Sequence, residues 1–245
     1  MAFHKYTILK IASFANTFCL IILILFFGIQ ISAFKMWFYY WQFSVNETYT
    51  QVQMEPVHLH EVTRHMISYM QNELDRDTGL QIMTYVAGEP RYFFSEIEIK
   101  HMWDVYDLFY YGFIIRNILR AVFTISLIYI IYKKSTILLL KSHLIGSTIT
   151  LACLTILVLI ISINWHRAWH IFHYIFFNND YWLLDPRVDL LINIVPYPFF
   201  FAITSFIGAI FAGGLLLIIA ASLLFLKKKK TKFITNLLQI FKIVD

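Results

Sequence analysis

The run FFFAITSFIGAIFAGGLLLIIAASLLFLKKKK, residues 199–230, decides the fold class. Residues 199–226 hold no charge, and four lysines follow at once. An uncharged run of that length crosses about 30 Å of hydrocarbon at about 1.5 Å per residue. The lysines then anchor the end in the aqueous phase. Working outward, residues 11–34 and 144–164 are also free of charge, and residues 117–132 form a shorter span with Arg120 inside. Arg116 and Arg120 are expected to snorkel outward or to face a polar cavity. The apolar core of 11–34 exceeds the roughly 7–15 residues of a signal-peptide core, which predicts a retained helix.

Composition agrees. The chain of 245 residues is 59% hydrophobic with a mean hydropathy of +0.65, and only 14% of residues are charged, against about 25% in soluble domains. The net charge of +5 does not mark a nucleic-acid protein. Eleven of the 20 Lys and Arg residues fall in three short clusters beside the spans, so no phosphate-tracking face exists. Those clusters are Lys5 and Lys10; Lys133, Lys134 and Lys141; and Lys227 to Lys230 with Lys232 and Lys242. With four crossings all three fall on one side. That predicts both termini in the cytoplasm. Cys19 and Cys153 fall in spans and have no metal-ligand spacing, so they are expected to be packing residues.

Two segments are then expected outside, 35–116 and 165–198. The expected division is a first transmembrane helix over 1–35 and an extracellular cap over 36–112. Three further helices follow over 113–245, with an interfacial segment at 165–198 and a basic cytoplasmic tail. Between Lys35 and Phe113 the chain holds 11 acids against 5 bases, so this part is acidic and solvated. KMWFYYWQF, residues 35–43, reads as an aromatic belt at the outer interface. Leu59, Val62, Met66, Tyr69, Met70 and Leu74 have helical spacing over 58–74. Residues 81–86 and 91–94 flank Gly88-Glu89-Pro90 and read as a short hairpin. The fold class is therefore an all-α integral membrane protein with four transmembrane helices and a small mixed α/β cap.

Candidate chemistry lies in SEIEIKHMWDVYDLF, residues 95–109, and in IFHYIFFNNDYWLLDP, residues 171–186. Ser95 and Glu98 match a capping box, with His101 a turn later and Asp104 on the same face. His166, His170 and His173 share one stripe if the third span continues as a helix. Their spread of about 10 Å along that helix is too great to bind one zinc ion at about 2.1 Å, so no metal is expected. There is no G-x-S-x-G, and Ser95 is better used as a cap. An imidazole acting as acid or base remains, because its pKa of about 6.5 suits proton transfer near neutrality. His101 and His173 each lie where an outward element meets a span, which allows a pair at one level. Asp185 and Pro186 read as N-cap and N1 of a helix over 185–195.

Residues 94–108, FSEIEIKHMWDVYDL, and the stretch from Phe172 to Phe200 resemble the two motif blocks of the bacterial lipoprotein intramolecular transacylases. The blocks cover roughly 45 residues, and the order of spans agrees along the chain. The resemblance implies catalysis by His101 and His173 at an interface between cap and membrane. It implies substrate contacts near Asp104, Phe176, Asn179, Asp180, Trp182 and Asp185, with Asp104 or Asp185 able to orient an imidazole. The implied reaction moves the sn-2 acyl chain of a diacylglyceryl lipoprotein to the α-amine of its N-terminal cysteine. It needs no cofactor and takes place at the outer side of a bacterial cytoplasmic membrane. The partners expected are diacylglyceryl lipoproteins and the bilayer. Tyr106 and Tyr197 depart from the pattern, where Lys and Glu are expected. A His- or metal-dependent membrane lipid hydrolase, and a non-enzymatic protein binding a partner through its cap, are the alternatives.

Overall fold

A computed structural model describes residues 2–242, with side chains described for 6–231. Lys5, Lys232 and Lys242, part of the charge argument, lie outside the described side chains. The element order is α1 (Ala2–Ala33), α2 (Met36–Val45), α3 (Thr48–Gln51), α4 (Pro56–Met70), β1 (Met83–Val86), β2 (Glu89–Tyr92), α5 (Glu96–Tyr132), α6 (Thr136–Ile163), α7 (Trp165–Phe176), α8 (Leu191–Ile194) and α9 (Tyr197–Lys242). Among the described residues four helices are long and apolar enough to cross a membrane: Tyr6–Ala33, Glu96–Tyr132, Thr136–Ile163 and Tyr197–Thr231. The contacts divide the chain into two compact units.

One unit holds the residues up to Phe26, Asn117–Leu159 and those from Ala209 on. Its surface is apolar and its glue is polar, as expected where lipid removes the hydrophobic drive between helices. Asn16 is fully buried and donates through Nδ2 to the Phe123 carbonyl and to Ser126 Oγ, both at 2.9 Å. Its Oδ1 lies 3.2 Å from His143 Nε2. Close approach falls at two glycines. A Cβ on Gly146 would lie 2.7 Å from Thr17 Cγ2, and one on Gly214 2.6 Å from Ile24 Cγ2. Lys229 Nζ donates to Thr136 Oγ1 at 2.7 Å, so α9 at the KKKK run meets the start of α6. The basic turn Lys133-Lys134 and the KKKK run therefore belong to one end of this unit.

The other unit holds Phe27–Arg116 and Ile160–Gly208. Its core answers the question of the aromatic run at 35–43. That run folds into α2. Phe38, Tyr39 and Phe43 are buried, and Trp37 and Trp41 stay about half exposed. Phe38 packs edge-on against Phe199, with centroids 5.5 Å apart. Trp37 Nε1–H donates to the Ile31 carbonyl at 3.1 Å and Tyr39 O–H to the Ala33 carbonyl at 3.0 Å. Two of the carbonyls that a helix end leaves unpaired are thus satisfied. Replacing Phe38 with Ala should cost about 3–5 kcal/mol and lower the melting temperature by about 10 °C. A thermal scan of the solubilised protein checks it; a drop under about 3 °C would remove Phe38 from the core.

The helix expected over 58–74 ends four residues early, at Met70. Asn72 takes φ 60°, and Glu73 N–H returns to the Ser68 carbonyl at 3.0 Å. A left-handed residue with that long return bond is a helix-stopping motif that Asn tolerates. Leu59, Val62, Met66, Tyr69 and Met70 are buried as the spacing predicts. The hairpin turn also moves. Glu89 and Pro90 belong to β2, with Val86 opposite Glu89. The turn is Ala87-Gly88, both at positive φ, the two-residue geometry that matches strand twist.

The third span does not continue into the histidine stripe. The helix breaks at Asn164, whose Oδ1 accepts the Arg167 N–H at 2.9 Å, so α7 is a separate, capped, amphipathic helix. The helix expected over 185–195 shrinks to α8, Leu191–Ile194. Asp185 closes a single turn instead, accepting N–H from Val188 and Asp189 through its carbonyl and from Arg187 through Oδ1.

Candidate active site

Helix α5 begins with the expected box. Glu98 Oε2 accepts the Ser95 N–H at 2.6 Å, and Ser95 Oγ accepts the Glu98 N–H at 3.4 Å. The helix has 37 residues, or about 55 Å, nearly twice a hydrocarbon thickness. The stretch from Leu108 to Tyr132, predominantly apolar with Arg116, Asn117 and Arg120 inside it, is by itself long enough to cross. The charged first turns, His101 among them, therefore lie outside the spanning part.

His101 and His173 come together, with ring centroids 6.1 Å apart and planes 36° apart. His173 is 4% exposed. Trp182 stacks on it at 4.5 Å and 27°, and Trp169 meets it edge-on at 4.3 Å. Phe177 closes the pair, 5.4 Å from His101 and 5.6 Å from His173. His173 Nδ1 lies 2.8 Å from the Trp169 carbonyl. A carbonyl only accepts, so Nδ1 carries the proton and Nε2 is left as the acceptor of the neutral ring. His101 Nδ1 is buried with no partner among the described residues. Burial holds the His101 imidazole well below its ordinary pKa, and the neighbouring His173 adds to this. Burial also lowers His173, against the Trp169 carbonyl, which favours its charged form. Both rings are therefore neutral near neutral pH.

The other expected residues divide. Asn179 Nδ2 donates to Asp104 Oδ2 at 2.9 Å, and the Asn179 carbonyl accepts Trp182 Nε1–H at 3.0 Å. Asp104 therefore reaches the far side of the pair through Asn179 and Trp182, not through a bond to either imidazole. Asp185 pairs with Arg187, with Nη2 to Oδ2 at 2.5 Å, and does not orient a ring. Phe176 is half exposed and packs on Phe172. Asp180 is exposed. His166 packs on Tyr197, while His170 shares Trp182 with His173. Tyr106 packs against Tyr69 at 5.0 Å. Among the described residues no group of three or more His, Cys, Asp or Glu is placed to hold a metal ion.

Sequence reasoning missed Trp169, Phe177 and Asp189. Trp169 stands four residues before His173, one helical turn, so its carbonyl lies within reach of the His173 ring. That position was the available signal. Asp189 is taken up below.

The molecule is thus a multi-pass helical membrane protein with a histidine pair, His173 buried and His101 partly so, in an aromatic shell. The family model of the lipoprotein intramolecular transacylase Lit matches residues 14–200, about three quarters of the chain. The chain belongs to that family. Three solved structures agree in fold. The in meso structure of the membrane integral lipoprotein intramolecular transacylase Lit from Bacillus cereus superposes with a TM-score of 0.79 at 22% identity, over 92% of this chain and 99% of that chain. Two forms of that protein carry a single histidine substitution, to Arg or to Ala. Both give a TM-score of 0.75 at 21% identity over 94% of this chain, and cover 97% and 99% of theirs. No curated protein matches the chain.

Proposed function

We propose that this chain moves the sn-2 acyl group of a diacylglyceryl lipoprotein to the α-amine of the lipoprotein's own N-terminal cysteine. The observation that carries this is the imidazole pair: two neutral rings 6.1 Å apart, one with its tautomer fixed. Nucleophile, ester and leaving alcohol all belong to the substrate, so the protein needs only to move protons and shed water. The α-ammonium has a pKa of about 7.7–8.0, so near neutrality part of it has already given one proton to solvent, and His173 Nε2 takes the second from the nitrogen as it attacks. The amine nitrogen attacks the ester carbonyl carbon. His101 donates to the oxyanion that forms. The C–O bond then breaks, and the glyceryl oxygen takes the proton back from His173. One ester becomes one amide and one free hydroxyl, with no change of mass.

Phe177, Trp169 and Trp182 wall the pair, and exclusion of water keeps hydrolysis from competing. Phe176, Asp180 and the face of Trp182 are assigned to the substrate; Asn179, Asp104 and Asp185 hold the wall behind them. The cap, 36–112, and the segment 165–198 face outward, and both termini face the cytoplasm. The lysine clusters beside the spans support this orientation.

Mass spectrometry of a diacylglyceryl lipopeptide incubated with the purified protein tests the reaction. The expected product has unchanged mass and an N-terminus that no longer reacts as an amine. A loss of one acyl chain would replace this reading with hydrolysis.

A further inference from the structure

Glu98 does more than close a capping box. It is 1% exposed, and its second oxygen, Oε1, accepts the backbone N–H of Leu191, 93 residues away. Ser95 has a second bond too. Its hydroxyl donates to Asp189 Oδ1 at 3.0 Å, and Asp189 Oδ2 accepts the Asp185 N–H at 2.8 Å. Asp189 is 4% exposed. Two buried carboxylates thus share Ser95, one through its N–H and the other through its O–H. Neither belongs to an ion pair among the described residues.

Burying two carboxylates without a cation is costly unless their lone pairs are met by fixed donors. Here N–H groups of Ser95, Leu191 and Asp185 and the Ser95 O–H meet them. Burial raises the Glu98 carboxyl above its ordinary pKa, Asp189 adds to this, and the Ser95 and Leu191 donors oppose it. A simple helix cap has no need of such a site. The Ser95 bond alone satisfies the start of α5.

The location supplies the reason. Glu98 and His101 are three residues apart and share a face of α5. Asp185 and Leu191 belong to the segment that leads out of Trp182, the ring stacked on His173. We propose that Glu98 and Asp189 are positioning residues. With Ser95 they form a carboxylate clasp that sets the rotation of α5, and with it His101, against the segment holding Trp182 over His173. The proposal rests on the histidine pair being the reacting centre, but its geometry can be read without substrate.

Two isosteric substitutions test it in the full-length protein. Glu98→Gln keeps one acceptor and turns an NH2 toward one of two N–H donors. Asp189→Asn is milder, because the Ser95 hydroxyl can rotate to accept. Diethyl pyrocarbonate labels each accessible neutral imidazole, and mass spectrometry reads the sites one by one. In both variants His101 should label several-fold faster than in the wild type, more so for Glu98→Gln, while His58 keeps its rate. General unfolding would raise both. In the lipopeptide assay kcat should fall roughly ten- to hundredfold, the cost of an ångström-scale misplacement, with KM within about twofold. Unchanged His101 labelling, or a fall confined to KM, overturns the clasp. If the wild type forms no isomerised product, the proposed reaction fails, and His101 labelling still decides the clasp.

Discussion

His173→Ala should lower acyl transfer by about 10²–10⁴-fold, and His101→Ala by about 10²–10³-fold, in protein that still elutes as a folded monodisperse species. The two losses should answer differently to repair. Asparagine in place of His101 still offers an N–H to an oxyanion, so His101→Asn should recover part of what His101→Ala loses. No amide takes up a proton near neutrality, so His173→Asn should be as inactive as His173→Ala. The asymmetry follows from one bond. Trp169 fixes the proton of His173 on Nδ1 and leaves Nε2 as its basic nitrogen, while His101 Nδ1 has no partner among the described residues. The measurement is the initial rate of mass-neutral loss of amine reactivity. Recovery at position 173 rather than at 101 would exchange the roles of the two rings. Full activity in both alanine variants would leave the pair without a part in the chemistry, and the cap as a binding surface instead.

What the sequence made legible, and what it did not, divides by distance along the chain. The four spans are readable because lipid imposes a local rule: about 20 predominantly apolar residues in a row. The box of Ser95 and Glu98 is readable because both partners lie within one turn. Helical spacing in α4 found five buried positions for the same reason. Composition alone cannot tell an interfacial aromatic from a core one. In the run at 35–43 Phe38, Tyr39 and Phe43 are buried, Phe38 and Tyr39 against Phe199 of α9, while Trp37 and Trp41 stay half exposed, a division that composition does not show. The break at Asn164 is a single cap inside an apolar run, and periodicity passes over it. The least legible features are bonds that close long loops. Glu98 to Leu191 spans 93 residues and Asn179 to Asp104 spans 75. Nothing in local pattern announces either. The histidine pair itself became readable only when the resemblance of two motif blocks joined residues 72 positions apart.

Acidification should weaken the protein within a defined window, the second large effect. His101 and His173 both sit below their ordinary pKa because burial opposes the charged ring. In the unfolded chain each titrates near 6.5. Above that pH both states are neutral and the rings make no pH-dependent difference. As pH falls below it, the unfolded chain binds protons that the folded pair refuses. Stability therefore falls through the interval between 6.5 and the lowered folded values, and levels off below them. The slope is at most about 1.4 kcal/mol per pH unit for each ring. Charging both would also set two cations side by side in an aromatic shell, so the second proton is harder to add than the first. Melting temperature measured from pH 8 to pH 5 should be level at the top and then decline. His101→Phe should reduce the slope of that decline and leave the plateau at high pH nearly where it was. A melting temperature that rises on acidification, or a decline identical in His101→Phe, would mean that His101 is not the group refusing the proton. Catalysis should follow the same sign. The base is competent only while His173 is neutral, and burial keeps it neutral further into acid than a free imidazole would be.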